Sequence, residues 1–185
     1  MSLSLHETLI PGLLTVENQQ SNDLRGSFSR FFCNQELSSI LGNRNIVQIN
    51  HSNTTSIGAI RGLHYQLPPY AEMKFVRCLK GKVWDVVVDL RSKSPTFLKY
   101  HVEELEPSLN KMLVIPEGCA HGYQVLQDDS ELLYLHTEYY SSEYERGVRY
   151  NDPVLNISWP LLPADISVRD SNHTLIVPGF SGIQI

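Results

Sequence analysis

Three side chains in this sequence have the chemistry of proton transfer: His64, Tyr134 and Asp170. Histidine titrates closest to neutral pH and is the natural general base, and a tyrosine hydroxyl that faces a cavity can act as the acid. Structural roles compete with these, because a histidine or tyrosine in a strand more often packs than reacts. Asp170 follows Ser167 by three residues, which is also the spacing of a helix-capping carboxylate. The residues alone therefore leave both an enzyme and a binding module open.

A second set of side chains, Arg25, Arg61 and Lys74, suits an anionic ligand. Arg61 and His64 share the segment RGLHYQLPP, which is typical of a strand that ends at a Pro-Pro turn. Strict strand alternation would place these two polar side chains on opposite faces.

Other chemistries lack their sequence patterns. The histidines have no zinc-ligand spacing, and His64 and His121 are 57 residues apart. No Gly-x-Ser-x-Gly motif and no phosphate-binding glycine loop occurs. Cys119 precedes His121 by two residues, but a small buried cysteine explains it better than thiol catalysis.

The composition is that of an ordinary globular protein. The 185 residues, 42% of them hydrophobic, predict one domain over residues 1–185. The net charge of −5 and the absence of a basic run argue against a nucleic-acid partner. Three cysteines without short spacing predict neither a disulfide framework nor a zinc knuckle, so a cytoplasmic location is the simplest expectation. The N-terminus is a poor signal peptide, and no apolar stretch is long enough for a membrane helix.

The elements that must position these residues are mostly short strands. Alternating patterns cover residues 45–52 and 131–140, and a short apolar strand covers 111–118. Two β-rich runs within residues 74–91 meet at Lys80-Gly81-Lys82, which predicts a hairpin turn, and the second run alternates between two faces. Residues 34–41 predict a short helix with Asn34 as its N-cap and Gly42 just past its end. Residues 167–170 predict the start of another helix. Many strands with Gly and Pro turns predict a β-sandwich or barrel.

A series of motifs resembles the dTDP-4-dehydrorhamnose 3,5-epimerase family over roughly residues 10 to 175. In order along the chain they are DLRGSFSR, VQINHSN, RGLHYQ, KFVRCLKGKVWDVVVDLRSKSPTF, IPEGCAHGY, LLYLHTEYY, NDPVLNISWP and SVRD. The resemblance implies an all-β, cupin-type jelly roll with a few short helices, which agrees with the strand pattern. It also implies a homodimer that exchanges an N-terminal segment, and leaves residues 161–185 as a C-terminal extension.

The resemblance also implies roles for individual residues. His64 would be the general base, Asp170 would orient it, Tyr134 would be the acid, and Lys74 would stabilise an enolate. Both Arg61 and His64 would then face the pocket, and a bulge at Gly62 would reconcile this with the strand. The implied substrate-binding residues are Arg25, Phe28, Arg30, Gln48, Asn50, Arg61, His121, Glu145 and Arg169.

The implied reaction is epimerisation at C3 and C5 of a dTDP-linked 4-keto-6-deoxyhexose, without a cofactor or a metal. Gln66 stands where a metal-binding cupin would continue a His-x-His pair from His64. This sequence departs from the family pattern at Arg30, Cys119, Leu135 and Arg169, and these changes bear on which sugar nucleotide fits.

Three alternatives stay open at this point. The first is an epimerase that acts at C3 or C5 alone on a dTDP- or CDP-linked sugar. The second is a cupin that binds a sugar nucleotide without turning it over, and the third, more distant, is a metal-dependent oxygenase.

Overall fold

The computed structural model describes residues 2–185, and strands dominate it. The two α-helices and one 3-10 helix are short: α1 (Ser38–Leu41), α2 (Val168–Ser171) and Pro107–Leu109. The strands are β1 (Leu3–Glu7), β2 (Leu14–Asn18), β3 (Gln20–Asp23), β4 (Gly26–Ser29), β5 (Gln48–Thr54), β6 (Ile60–Gln66), β7 (Lys74–Lys80), β8 (Val83–Asp89), β9 (Tyr100–Leu105), β10 (Lys111–Ile115), β11 (Cys119–Val125), β12 (Ser130–His136) and β13 (Glu145–Gly147).

Two antiparallel sheets face each other. The six-stranded sheet has the order β1-β2-β10-β7-β12-β5, and the five-stranded sheet has the order β13-β6-β11-β8-β9. The strands β3 and β4 form a separate hairpin. This two-layer architecture confirms the predicted all-β jelly roll with a few short helices.

Strand alternation fills three apolar layers. In β12, Leu132 packs between the sheets while Leu133 and Leu135 pack on the outer face of the six-stranded sheet. In β8, Val87 points into the interior and Val86 points outward, toward the C-terminal segment that covers the five-stranded sheet. The alternation predicted for both strands is confirmed. The division into one domain with a C-terminal extension at 161–185 stays a prediction.

The turn at Lys80-Gly81-Lys82 was wrongly predicted to close a hairpin. The strands β7 and β8 do not pair, because β7 lies between β10 and β12 while β8 lies between β11 and β9 in the other sheet. Gly81 has a φ of +74°, and a Cβ there would lie 2.8 Å from the Ser130 Cα. The tight turn was predicted correctly, but it carries the chain from one sheet to the other.

The predicted helix over 34–41 is shorter in the structure. It begins at Ser38, and residues 34–37 form turns in which the Leu37 N–H donates to the Cys33 carbonyl. Asn34 is therefore not its N-cap, whereas Gly42, with a φ of +57°, ends it as predicted. No helix within residues 2–185 has the length and apolar character that crossing a membrane requires.

Candidate active site

A cleft of about 1160 Å³ opens between the two sheets. One wall comes from β5, β7 and β12 of the six-stranded sheet, and the other comes from β6 and β11 of the five-stranded sheet. Residues 165–167 and two residues of α2, Arg169 and Asp170, close one side. The cleft has ample room for a drug-sized ligand or larger. The predicted residues that line it are Gln48, Asn50, Arg61, His64, Lys74, His121, Tyr134, Glu145, Arg169 and Asp170.

An irregularity in β6 brings Arg61 and His64 to the same cleft. In the pairing with β11, His64 is opposite His121 but Arg61 is opposite Tyr123, so β6 carries one extra residue there. Gly62 lies at this point with a φ of +121°. The predicted bulge is confirmed, and it explains how two polar side chains three residues apart share one face.

His64 and Asp170 form a close pair although 106 residues separate them. The His64 Nε2 lies 2.8 Å from the Asp170 Oδ1, and the Gly62 N–H donates to the Asp170 Oδ2 at 3.1 Å. The helix α2 holds the carboxylate in place, since the Ser167 Oγ accepts the Asp170 N–H at 3.0 Å and caps the helix. Asp170 is thus inside the cap motif, but its own side chain points at the histidine.

The surroundings of Asp170 keep it ionised. Burial alone would raise its pKa, but the hydrogen bond and charge of His64 and the Gly62 N–H together lower it to about 2. The carboxylate therefore accepts a hydrogen bond from the His64 Nε2–H, which leaves Nδ1 as the unprotonated ring nitrogen.

Tyr134 reaches the cleft from the opposite sheet. Its hydroxyl lies 3.3 Å from the Ser52 Oγ, which in turn lies 3.2 Å from the Tyr123 hydroxyl. Loss of hydration raises the pKa of Tyr134 well above its ordinary value, and the neighbouring Tyr123 adds to this. Tyr134 consequently keeps its proton at neutral pH.

Lys74 belongs to a buried polar chain that crosses the six-stranded sheet. Its Nζ lies 3.1 Å from the Glu72 Oε1, and the His136 Nδ1 lies 2.7 Å from the other Glu72 oxygen. The His136 Nε2 is 3.3 Å from the Asn50 Nδ2. Burial works against ionisation of Glu72, but Lys74 and His136 lower its pKa below the ordinary value. The charged carboxylate forms an ion pair with Lys74, whose Nζ also donates to the His64 carbonyl at 3.3 Å.

Charged side chains from β13 and α2 border the histidine pair. Arg169 donates to the Glu145 Oε2 at 2.7 Å, and one of its nitrogens lies 3.2 Å from the His64 Nε2. The Tyr140 hydroxyl donates to the same Glu145 oxygen at 3.0 Å. This edge of the cleft holds a guanidinium whose charge is balanced by carboxylates.

His121, in the wall of the cleft, makes a second histidine–aspartate pair. Its Nε2 lies 2.8 Å from the Asp85 Oδ2, and the Tyr134 ring packs edge-to-face on the imidazole with the ring centres 6.1 Å apart. Asp85 is fully buried. The pair therefore supports the position of Tyr134 from the five-stranded sheet.

Three predicted binding residues lie outside the cleft of their own chain. Arg25 pairs with Asp23 in the β3–β4 hairpin, and Phe28 in β4 leaves 66% of its surface exposed. Arg30 pairs with Glu36. A single chain does not bring these residues to the site.

The residues of the site region that were not predicted include Glu72, His136 and His173. In β12, His136 follows Tyr134 by two residues and therefore lies on the same face, which was a usable signal. Glu72 precedes β7, where no periodicity marks it, whereas His173 follows Asp170 at the i,i+3 spacing of a helix.

The three cysteines are free, and two of them, Cys78 and Cys119, are buried and therefore poorly reactive. Burial raises the pKa of Cys119 to about 12 and that of Cys78 to about 11. The prediction of Cys119 as a small buried residue is confirmed.

The two-sheet jelly roll, with His64 and Tyr134 entering its cleft from opposite sheets, defines a cupin-type fold. A family model described as dTDP-4-dehydrorhamnose 3,5-epimerase matches residues 7–177. The chain belongs to this family.

Relatives and solved structures agree with this assignment. The chain is 42% identical over 171 residues to a dTDP-4-dehydrorhamnose 3,5-epimerase of Shigella flexneri, covering 92% of this chain and 94% of that protein. It is similar to a dTDP-6-deoxy-D-glucose-3,5-epimerase of Legionella pneumophila Philadelphia 1, solved in complex with dTDP-4-keto-L-rhamnose. That match has a TM-score of 0.91 and 33% identity, over 99% of this chain and 98% of the other. A 3'-monoepimerase of Streptomyces bikiniensis in complex with dTDP-quinovose matches with a TM-score of 0.85 and 30% identity, over 92% and 86%.

Proposed function

We propose that this protein is an isomerase that inverts C3 and C5 of dTDP-4-dehydro-6-deoxy-D-glucose to give dTDP-4-dehydro-L-rhamnose. The observation that carries the proposal is the placement of a base and an acid on facing sheets. His64 enters the cleft from β6 and Tyr134 enters it from β12. A sugar ring lying between them would present one face to each, which is what inversion at carbon requires.

In this mechanism His64 removes a proton from a carbon next to the C4 ketone. Asp170 fixes the histidine tautomer and stabilises the imidazolium that forms. The electron pair of the broken C–H bond moves onto O4, and the Lys74 ammonium stabilises the resulting enolate. Tyr134 then donates its proton to the carbon from the other face.

The raised pKa of Tyr134 supports its role as the acid, because the hydroxyl holds its proton until the enolate takes it. After one inversion His64 carries the substrate proton and Tyr134 is ionised. Exchange with water must restore both before the next carbon reacts. The hydrogen delivered to each inverted carbon therefore originates from solvent.

The polar residues along the cleft would bind the sugar nucleotide. Arg61 is exposed at the cleft and suits a phosphate oxygen, and Gln48, Asn50, His121, Glu145 and Arg169 offer hydrogen-bonding groups. We assign no cofactor, since the carbonyl of the substrate itself acidifies the C–H bonds.

We further propose a homodimer in which the N-terminal segment of one chain completes the site of its partner. The β3–β4 hairpin exposes Leu24 and Phe28, two large apolar side chains with no role in the monomer. Insertion of this hairpin into a partner's cleft would bury them and deliver Arg25 to the ligand. Arg30 would then lie near the same edge. Free cysteines are in keeping with a cytoplasmic protein.

The test is solvent exchange during turnover. The protein is incubated with dTDP-4-keto-6-deoxyglucose in D2O, and C3 and C5 are followed by NMR. Deuterium at both carbons, with formation of dTDP-4-dehydro-L-rhamnose, is the expected result.

The similarity to a 3'-monoepimerase makes a single-site epimerase the second candidate. Deuterium at one carbon only would select it, and a parallel assay with the CDP-linked sugar would fix the nucleotide. If the sugar nucleotide binds but neither carbon takes up deuterium, the protein binds this ligand without turning it over.

A further inference from the structure

A third side chain joins the His64–Asp170 pair from the C-terminal segment. The His173 Nε2 lies 3.7 Å from the same Asp170 Oδ1 that the His64 Nε2 approaches at 2.8 Å. One ligand atom from each of the three residues lies within 4.8 Å of the other two. Two imidazole nitrogens and a carboxylate oxygen thus converge on one point at the edge of the cleft.

The proposed mechanism gives His173 no task. Its ring packs edge-to-face on His64 at 5.5 Å between ring centres, and it lies over Gly147, where a Cβ would overlap the ring. Its Nε2 is buried and has no hydrogen-bond partner among residues 2–185. A buried nitrogen without a partner is costly, so its orientation toward a carboxylate oxygen calls for an explanation.

Two histidines and one carboxylate are a ligand set that zinc prefers, with bonds of about 2.0–2.2 Å. In a tetrahedral site these bonds place the ligand atoms about 3.3 Å apart. The observed separations of 2.8 and 3.7 Å to Asp170 bracket that value, so small side-chain rotations would suffice. We propose that His64, Asp170 and His173 bind Zn²⁺, and that the bound ion inhibits the enzyme by occupying its base.

One neighbouring charge opposes a cation. The Arg169 guanidinium lies 3.2 Å from the His64 Nε2. However, its side chain is 55% exposed and already donates to Glu145 at 2.7 Å. The guanidinium can swing toward Glu145 and solvent, which clears the approach to the histidine nitrogens without losing its own ion pair.

The inhibition rests on the proposed function, whereas the binding does not. An ion on the His64 Nε2 would take the place of the hydrogen bond to Asp170 that orients the base. A neutral imidazole that binds zinc through Nε2 also carries its proton on Nδ1, so the nitrogen that acts as the base is blocked. The ion is therefore an inhibitor and not a participant in the reaction.

Binding is tested without substrate, by calorimetric titration with ZnCl₂ and by the visible absorption of Co²⁺ in its place. Wild type is compared with His173→Phe, which keeps a ring over Gly147 but offers no nitrogen. His6→Phe is the matched control, because His6 lies 3.7 Å from a single carboxylate, that of Glu17. We expect one ion per chain, and a loss of affinity in His173→Phe at least as large as the about 10–100-fold that outer-shell ligand partners contribute.

His64→Ala gives the same readout if His173→Phe fails to fold, since it removes another ligand of the same ion. Equal Zn²⁺ affinity in wild type and either cluster variant would overturn the site, as would an equal loss in His6→Phe. Solvent exchange is then measured in wild type with and without ZnCl₂. Exchange that persists at saturating Zn²⁺ would overturn the inhibition, while an absence of exchange without Zn²⁺ would count against the proposed function instead.

Discussion

Replacement of Asp170 by asparagine tests the histidine–aspartate pair most directly. The substitution preserves the shape of a side chain that is only 3% exposed. The carboxylate accepts hydrogen bonds on both oxygens, from His64 and from the Gly62 N–H. An amide has one accepting oxygen, so it can satisfy only one of these two donors.

The effect on rate follows from the tautomer. If the amide oxygen accepts from Gly62, its NH₂ group faces the His64 Nε2, and the imidazole proton moves to Nδ1. The ring nitrogen needed as the base is then protonated, and the imidazolium formed during the reaction loses its counter-charge. Comparable substitutions of an aspartate that orients a histidine cost about 10⁴-fold in rate. We expect a loss of about 10³- to 10⁴-fold in deuterium exchange at C3 and C5.

The contribution of Asp170 to the free energy of unfolding changes with pH in a defined direction. The pKa of Asp170 is about 2 in the folded protein and 3.8 ordinarily, so ionisation favours folding. At about 1.4 kcal/mol per pKa unit this contributes about 2 kcal/mol, present in full above about pH 5 and lost as pH falls toward 2. Asparagine does not titrate, so the wild-type advantage shrinks by about 1 kcal/mol between pH 6 and pH 3.

Exchange by NMR and urea unfolding at several pH values measure both effects. Asp89→Asn is the matched control, because Asp89 is also buried with a pKa of about 2 but bonds to Arg91 and Ser94 away from the cleft, so it should lose stability with little change in rate. A folded Asp170→Asn protein with exchange within about tenfold of wild type would refute the tautomer argument. A stability difference that does not change from pH 6 to pH 3 would refute the linkage argument.

Three further predictions concern the rest of the site and the fold. His64→Ala should abolish exchange at both carbons and Tyr134→Phe should reduce it strongly, with far-UV circular dichroism unchanged; near-normal exchange in a folded His64→Ala protein would contradict the mechanism. Glu72→Gln leaves a buried lysine without its counter-charge and should cost about 3 kcal/mol or more in urea unfolding, together with a loss of rate. Unchanged stability and rate would show that Glu72 is dispensable. Gly81→Ala forces a side chain into a left-handed turn and should lower the unfolding free energy by at least about 1–2 kcal/mol, whereas wild-type stability would argue against the strain.

The sequence predicted the layers of the fold better than their connections. Alternation in β8 and β12 identified their two faces, because the side-chain period of a strand does not depend on its partner. It did not identify the partner. A tight turn between two apolar strands looks the same whether the strands pair or cross between sheets, and so the turn at Gly81 was mistaken for a hairpin.

The site residues that lie in family motifs were predicted. Those that join the site only through tertiary contacts were missed. His64 and Asp170 are 106 residues apart, and no local pattern could have paired them without the family resemblance. Glu72 and His173 come from segments between regular elements, where side-chain direction depends on tertiary packing. His173 in particular depends on the space over Gly147, which only the folded chain reveals.

The crossing at Gly81 has a consequence for the order of events in folding. It sends β7, with Lys74, into one sheet and β8 into the other, so the facing walls of the cleft are not built from neighbouring hairpins. The site is complete only when Asp170 has met His64 across 106 residues of chain, and contacts between such distant segments form slowly. Refolding from urea should therefore restore strand structure before it restores catalysis, and regain of exchange activity would report the last step, the docking of α2 onto β6.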